Sequence, residues 1–262
     1  MSHPTATPGR PLVHLGDLLR ELVNRDLKAR YKRSVLGIAW SLLVPLAQLL
    51  VLYFVFHYAL PLSVPHYTSF LITGILPWSW FHASLSSATV SVVENRELTS
   101  QPGFPVTLLP VASVTSQGLH FLLGIPIVVV LLGIDGYGFS PALLSLPLIV
   151  ALQFVFTVGL AYFAAALHVL FEDTRYLLGI ALMLLFYVTP IFYDPAIVPE
   201  QYRSLLMLNP MAVLLVIYRS VLLEGELPAA WAWFSMTAVS VVIFGAGYLT
   251  FWRTRFRFAE DL

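Results

Sequence analysis

The chain has 262 residues, of which 58% are hydrophobic and only 11% are charged. A soluble domain carries roughly 25% charged residues, so this composition indicates an integral membrane protein. The formal net charge is zero, and the absence of cysteine excludes disulfides, thiolate metal sites and cysteine nucleophiles.

The polar N-terminal stretch predicts two regions, a cytoplasmic segment at 1–33 and a transmembrane domain at 34–262. Residues 1–11 are rich in proline and are predicted to be disordered. From about His14, leucines recur at the spacing of one helical face, and charges fill the opposite face. This pattern predicts an amphipathic helix that lies in the cytoplasmic membrane interface. A helix packed on a partner subunit is the alternative.

A cluster of positive charge ends this helix and precedes the first apolar run. The basic residues that we assign to the interface helix are Arg25, Lys28, Arg30, Lys32 and Arg33. No Lys, Arg, Asp or Glu then follows until Glu94. Because positive charge beside a first span stays in the cytoplasm, the N-terminus is predicted to be inside.

Charge-free windows of the chain predict six transmembrane helices, since one crossing needs about 20 residues. The predicted spans are 35–60, 67–93, 107–132, 142–171, 176–193 and 229–252. Pro61 and Pro65 mark the outer turn after the first span, and Asp194–Pro195 ends the fifth. Both termini are then cytoplasmic, with 12 basic residues inside and 2 outside.

Residues 195–226 contain two short apolar pieces that are separated by Asn209–Pro210 and interrupted by Arg203 and Arg219. Neither piece is long enough to span a bilayer. If the second piece crossed, the basic C-terminal end would lie outside, against the positive-inside rule. We therefore predict a re-entrant helical hairpin on the outer side, between spans 5 and 6 of an all-α membrane protein.

The chain offers little catalytic chemistry. It has no G-x-x-x-x-G-K-[ST] phosphate loop, no HExxH and no G-x-S-x-G, so we predict a non-enzymatic chain without catalytic, cofactor-binding or metal-ligating residues. We interpret Glu172–Asp173 as a solvated loop rather than a catalytic or coupling element. The histidines within the spans are interpreted as hydrogen-bonded residues rather than a proton relay. They are His57, His82, His120 and His168.

Polar and aromatic residues within the spans are candidates for a substrate path. We select Gln48, Tyr53, Trp78, Trp80 and Tyr187. Aromatic rings offer a flat apolar face with a polar edge, which suits a sugar chain, although Tyr and Trp also collect at membrane interfaces. We hypothesise that span 1, which contains Pro45 and Gln48, lines the path opposite span 5.

Several segments together resemble the permease subunit of ATP-binding-cassette exporters of polysaccharides, the class that handles O-antigen, capsule and teichoic acid chains. The resemblance lies in RDLK and RYKRS within 25–46, LITGILPWSWF at 71–81, FPVTLLP at 104–110, and the residues from 173 to 219. It implies a homodimer bound to two cytoplasmic ATPase subunits, which bind ATP and Mg, and a pore for a lipid-linked glycan. It also implies a bacterial cytoplasmic (inner) membrane and no nucleic-acid partner.

The resemblance further implies two functional segments. The inside loop resembles the element that couples to the ATPase, with Glu94, Asn95, Arg96, Glu97, Leu98, Phe104 and Pro105. The outer hairpin resembles the helices that gate the outer mouth, with Tyr193, Asn209, Pro210 and Arg219. Residues 100–103 lack the basic residue that the family often has before the Phe-Pro pair.

Two other functions are compatible with the same sequence. An exporter of a small amphiphile, such as a drug or an antibiotic, shares the architecture but usually lacks so long an interface helix. A membrane-embedded transferase or assembly scaffold would need no ATPase. The missing acidic residues in the first outer loop argue against a transferase.

Overall fold

The computed structural model describes residues 11–32, 34, 36–59 and 64–255, without the side chains of 11–14, 30, 31 and 38. This description leaves out some residues for which the sequence makes predictions. They are residues 1–10, Arg33 and the turn residues 61–63, together with the side chain of Arg30. Every regular element in the described ranges is helical, in agreement with the predicted all-α fold class.

The α-helices of the described residues are α1 (Pro11–Tyr31), α2 (Trp40–Phe54), α3 (Tyr67–Glu94), α4 (Arg96–Thr99), α5 (Leu108–Ile134), α6 (Leu146–Leu170), α7 (Thr174–Val188), α8 (Glu200–Leu206), α9 (Pro210–Arg219) and α10 (Ala230–Thr254). Turns of π-helix continue α2 at Val55–Ala59 and α9 at Ser220–Glu224. Short 3-10 turns occupy Gly37–Ala39, Pro141–Ser145 and Pro195–Ile197.

Helix α3 lies at the centre of the fold, in contact with α2, α5, α6, α7 and α9. Leucine, isoleucine and alanine side chains along it are fully buried. At its middle, the buried Gln153 of α6 donates a hydrogen bond to the Pro77 carbonyl at 2.8 Å. The Tyr218 hydroxyl of α9 donates to the Gln153 amide oxygen at 2.8 Å. This chain of hydrogen bonds joins α3, α6 and α9 and satisfies polar groups that would otherwise be costly to bury.

Helices α6 and α10 approach each other closely at two glycines. A Cβ atom at Gly247 would lie 2.1 Å from the Gly159 carbonyl oxygen, and a Cβ at Gly159 would lie 2.6 Å from the Phe244 nitrogen. Small residues at such crossings let helix backbones come together, a common arrangement where helices pack in membranes.

Within the described residues, four helical segments are long and apolar enough to cross a membrane. They are Trp40–Ala59, Leu108–Ile134, Pro141–Leu170 and Ala230–Thr254. The chain is therefore a multi-pass membrane protein. Helix α3 has 28 residues but is less apolar, and α7 has only 15 residues. The total of six spans stays a prediction.

Most predicted span boundaries agree with the helices, but two were wrong. The first span was expected from residue 35, whereas α2 begins at Trp40, because Gly37 has a left-handed φ of 51° in the preceding turn. The fifth was expected to run to residue 193, whereas α7 ends at Val188. Thr189 is extended there because the following proline disfavours the helical conformation.

Residues 195–226 form two short helices, as the apolar pieces indicate. The chain bends by 101° between α8 and the continuous helix that α9 forms with its π-helical turn, Pro210–Glu224. Asn209 caps α9 by accepting a hydrogen bond from the Met211 nitrogen at 3.0 Å, and Pro210 occupies the first helical position. The bend therefore follows from local sequence. That the pair is re-entrant and lies on the outer side stays a prediction.

Helix α1 starts at Pro11, three residues earlier than predicted, and packs on α5 of the same chain. Leu22 and Val23 are buried, while Arg20 and Glu21 are exposed. The helix is thus amphipathic in three dimensions as well as in sequence. Its location in the membrane interface stays a prediction.

Candidate functional site

A cavity of about 800 Å³ lies between four helices of the bundle, and we call it the central cavity. It is open rather than sealed, and α2, α3, α5 and α7 line it. Helices α2 and α7 each pack on α3. The central cavity therefore has walls from helices that are far apart in sequence.

The polar groups of the central cavity are hydroxyls, amides, indoles and imidazoles. The residues that carry them are Ser34, Trp40, Ser41, Gln48, Trp78, Ser79, Trp80, His82, Gln117, His120 and Tyr187. None of the described residues that line it is a Lys, Arg, Asp or Glu. The cavity can thus offer neutral donors and acceptors beside aromatic and aliphatic surface.

Four of the five predicted path residues come together in this cavity, namely Gln48, Trp78, Trp80 and Tyr187. Their environments differ. Tyr187 is 62% exposed, whereas Trp80 stacks on Phe121 and donates its indole N–H to the Val114 carbonyl at 3.2 Å. The Trp80 indole therefore builds the wall and has its polar edge already occupied.

The fifth predicted path residue, Tyr53, does not line the central cavity. It stacks on His57, with ring centroids 4.7 Å apart, and on Tyr67 at 6.5 Å. The structure thus places Tyr53 in an aromatic cluster around the end of α2.

A row of aromatic rings runs from the central cavity towards the loop after α7. Trp78 contacts Phe186 with ring centroids 5.7 Å apart, and Phe186 contacts Phe192 at 5.9 Å. Phe192 stacks on Phe56 of the π-helical turn at 5.2 Å. These rings join the ends of α2 and α7 beside α3.

The predicted gate residues converge on the segment that follows α7. Tyr193 donates its hydroxyl to the Val188 carbonyl at 2.8 Å, and burial raises the pKa of that hydroxyl, so it remains a donor. The Asn209 amide donates to the Thr189 hydroxyl at 2.8 Å. From α3, the Tyr67 hydroxyl donates to the Phe192 carbonyl at 2.7 Å.

Arg219 makes the most buried of these contacts, with a side chain only 6% exposed. It donates to the carbonyls of Pro190 and Ile191 at 2.7 and 2.9 Å. Its guanidinium carbon lies 3.6 Å from the centre of the Phe70 ring. Gly74 leaves room for this group, since a Cβ there would lie 3.0 Å from an Arg219 nitrogen. We call the contacts of Tyr67, Asn209 and Arg219 with 189–192 the outer clamp.

The predicted coupling residues form a compact corner between α3 and α5. Asn95 alone separates the end of α3 at Glu94 from α4, and Gly103 turns the chain with a φ of 82°. Three charged residues of the corner, Glu94, Arg96 and Glu97, are exposed. Leu98, Phe104 and Pro105 are half-buried, and the first two pack against the core. The corner thus presents charge on a fixed apolar base.

Asn95 connects this corner to the interface helix. Its amide nitrogen donates to the Ser91 carbonyl at 2.7 Å, and its amide oxygen accepts a hydrogen bond from Arg25. Of the other predicted interface residues, Lys28 and Lys32 are exposed. Arg25 therefore has a specific contact within the chain in addition to its charge.

The sequence did not indicate the contact that fixes α1 on α5. The Ser116 hydroxyl, which is fully buried, donates to the Asp26 carboxylate at 2.5 Å. Gln117, in the wall of the central cavity, and Gln153 were missed as well. Both residues place an amide side chain inside an apolar span, where polar groups need partners within the protein. That feature of the sequence could have identified them.

Replacing Asp26 by alanine is expected to lower the free energy of unfolding by about 1–2 kcal/mol, because the buried Ser116 hydroxyl loses its acceptor. The matched control is Asp17→Ala, since Asp17 is exposed on the same helix and its loss should change stability by less than about 0.5 kcal/mol. Thermal unfolding of the purified protein in detergent measures both. Equal midpoints for the two variants would contradict a structural role for the Asp26 contact.

Comparison with known proteins gives a family match over most of the chain. A family model described as ABC-2 type transporter matches residues 17–223. The matched region includes the four helices that line the central cavity, the coupling corner and the outer clamp.

Curated relatives match over nearly the whole chain. An O-antigen export system permease protein RfbA of Klebsiella pneumoniae is 35% identical over 257 residues, covering 96% of this chain and 97% of the relative. The RfbA protein of Myxococcus xanthus is also 35% identical, covering 97% and 98%. The polysialic acid transport protein KpsM of Escherichia coli is 23% identical over 205 residues, covering 77% and 79%.

Proposed function

The chain belongs to the ABC-2 type transporter family of membrane proteins, and on that premise we propose that it is the permease subunit of an ATP-driven polysaccharide exporter. The cargo is a lipid-linked glycan, which the complex moves across a bacterial cytoplasmic membrane. The names of the O-antigen and polysialic acid relatives support this class of cargo over a small amphiphile.

The central cavity is the observation that carries the proposal. A hydroxylated chain cannot cross hydrocarbon without a protein-lined route. A cavity of about 800 Å³ with amide, hydroxyl and aromatic groups matches sugar, which has polar hydroxyls and apolar ring faces. Gln48 and Tyr187 face each other across this route in our proposal, from α2 and α7.

We infer that the working unit is a homodimer. The cavity of one chain is open, and its polar groups would meet lipid tails if no protein covered them. The flanking helices also carry exposed apolar residues, such as Val44 on α2 and Ile180 and Leu184 on α7. A second copy that covers these faces would close the route on all sides.

The energy for export enters through the coupling corner in this proposal. Two cytoplasmic ATPase subunits bind ATP and Mg, and each one contacts Glu94, Arg96 and Glu97 of one permease. Because only Asn95 separates α4 from α3, and Asn95 accepts a hydrogen bond from Arg25, movement of the corner would reach both the central helix and α1. This chain itself performs no chemical step.

The proposed topology follows from the same assignment. Six spans place both termini and the coupling corner in the cytoplasm, with α1 in the cytoplasmic interface. The helices α8 and α9 form the outer hairpin, and the outer clamp holds the segment that gates the mouth. Cysteine accessibility from either side of the membrane tests this arrangement at Gln101 and Gln201, which are both exposed.

Co-purification from native membranes tests the proposed function. We expect an ATPase to co-purify with this chain in equal amount. We also expect the glycan to reach the outer surface only when both subunits are present. Purification without an ATPase, with normal glycan export after deletion of this chain, would instead support a scaffold.

Reversing the charges at Glu94 and Glu97 to lysine is expected to reduce recovery of the ATPase at least tenfold. The physical reason is that like charges replace attraction at a protein contact, which costs several kcal/mol when the contact is buried. The matched control reverses Glu224 and Glu226, an exposed pair next to α9 that the proposal places on the outer side. Loss of the ATPase in both double variants, or in neither, would contradict the assigned coupling corner.

A further inference from the structure

The side chains that line the central cavity are uncharged in the part of the chain that the structure describes. Among the described residues, neither an acidic nor a basic residue lines it. Its hydrogen-bonding groups include the amide of Gln48 and the hydroxyl of Ser79. These groups can donate to and accept from sugar hydroxyls, but none of them neutralises a carboxylate or a phosphate.

In a second copy of the chain, the four lining helices would supply little further charge. Helices α2 and α5 contain no Lys, Arg, Asp or Glu. The other two lining helices carry one charge each, Glu94 at the last residue of α3 and Arg175 at the second residue of α7. Arg175 already donates to the Tyr176 hydroxyl at 2.5 Å. In a symmetric dimer, these four helices would therefore repeat a largely neutral wall.

We propose that this neutral wall selects glycans with uncharged repeating units and rejects glycans with a carboxylate or phosphate in each repeat. The inference rests on the proposed function and adds the substrate subclass. A charge inside a membrane protein is costly unless a partner or coordinated water compensates it, and the described residues that line the cavity offer no ionic partner.

The lipid linkage does not remove this selectivity. An anionic lipid linkage occurs once per molecule, so the free-energy cost of moving its charge through the cavity arises once. A glycan with a charge in each repeat has this cost for every repeating unit that enters the cavity. The rate of export therefore depends on the charge of the repeat far more than on the charge of the anchor.

Transport in proteoliposomes tests the inference, using the permease together with its ATPase. The two probes are a neutral lipid-linked glycan and the same glycan after oxidation of its C6 hydroxymethyl groups to carboxylates. We expect the oxidised glycan to move at least tenfold more slowly. Equal rates would overturn the charge selectivity and leave the exporter proposal intact, whereas no ATP-dependent transport of either probe would overturn both.

Lysine variants test whether the charge selectivity arises from the cavity wall. Gln48→Lys and Ser79→Lys each put a cation into the wall, from α2 and α3, and should reduce the tenfold difference to less than threefold. Gln201→Lys adds the same charge at an exposed position of α8 and should leave the difference unchanged. An unaltered ratio in both folded cavity variants would refute the neutral wall as its cause.

Discussion

Replacing Gly247 by alanine is expected to lower the free energy of unfolding by about 3 kcal/mol, at the upper end of the usual cost of overpacking. The added Cβ would lie 2.1 Å from the Gly159 carbonyl oxygen, which is backbone and cannot rotate away. Helices α6 and α10 would have to separate, and their buried aromatic contacts, such as Tyr162 with Phe251, would weaken.

Gly245→Ala is the matched control for this change. Gly245 lies two residues earlier on α10, and a Cβ there would meet nothing within 4 Å. Alanine also has a higher helix propensity than glycine, so this variant should be unchanged or slightly more stable. Thermal unfolding in detergent measures both variants. Equal thermal unfolding midpoints for Gly247→Ala and Gly245→Ala would contradict the close approach of α6 and α10.

Replacing Arg219 by methionine is expected to abolish export and to lower the free energy of unfolding by about 3 kcal/mol. Methionine keeps much of the length of the side chain but removes all donors, so the buried carbonyls of Pro190 and Ile191 lose their partners. Each unsatisfied buried acceptor costs about 1–3 kcal/mol. The loop after α7 would then no longer be held against α3.

Arg203 provides a close control for Arg219. It also donates to two backbone carbonyls, those of Val198 and Ala196, but its side chain is exposed. Water can replace its hydrogen bonds, so Arg203→Met should change stability by less than about 0.5 kcal/mol and leave export intact. Arg219→Lys should fall between the two, because an ammonium group cannot reproduce the planar fork of guanidinium donors. Equal loss in both methionine variants would contradict the special role of Arg219.

The positions of most helices could be predicted because hydropathy and charge are local properties of the chain. The spans predicted at 67–93, 107–132 and 229–252 agree with α3, α5 and α10 to within two residues. The end of α7 was misplaced, although Pro190 carried the signal, because an apolar run continues past the proline to Tyr193.

The candidate site was only partly predictable. The family resemblance and the residue types led to Gln48, Trp78, Trp80 and Tyr187, which the structure brings to one cavity. They did not separate the exposed Tyr187 from the buried Trp80, nor did they exclude Tyr53. Which side of a helix faces a cavity depends on its neighbours, and an apolar sequence shows too little periodicity to reveal it.

Composition, charge distribution and apolar length by themselves determined that this protein crosses a membrane and approximately where most of its long helices lie, and short sequence motifs carried the family resemblance. Only the tertiary structure decided that Arg219 is buried, that Arg25 meets Asn95, and that Gly159 faces Gly247. The physical reason is the range of the forces involved. Transfer of apolar residues into a bilayer depends on each segment alone, whereas hydrogen bonds and close packing join residues far apart in the chain, such as Arg219 with Ile191, 28 positions away, and Gly159 with Gly247, 88 positions away.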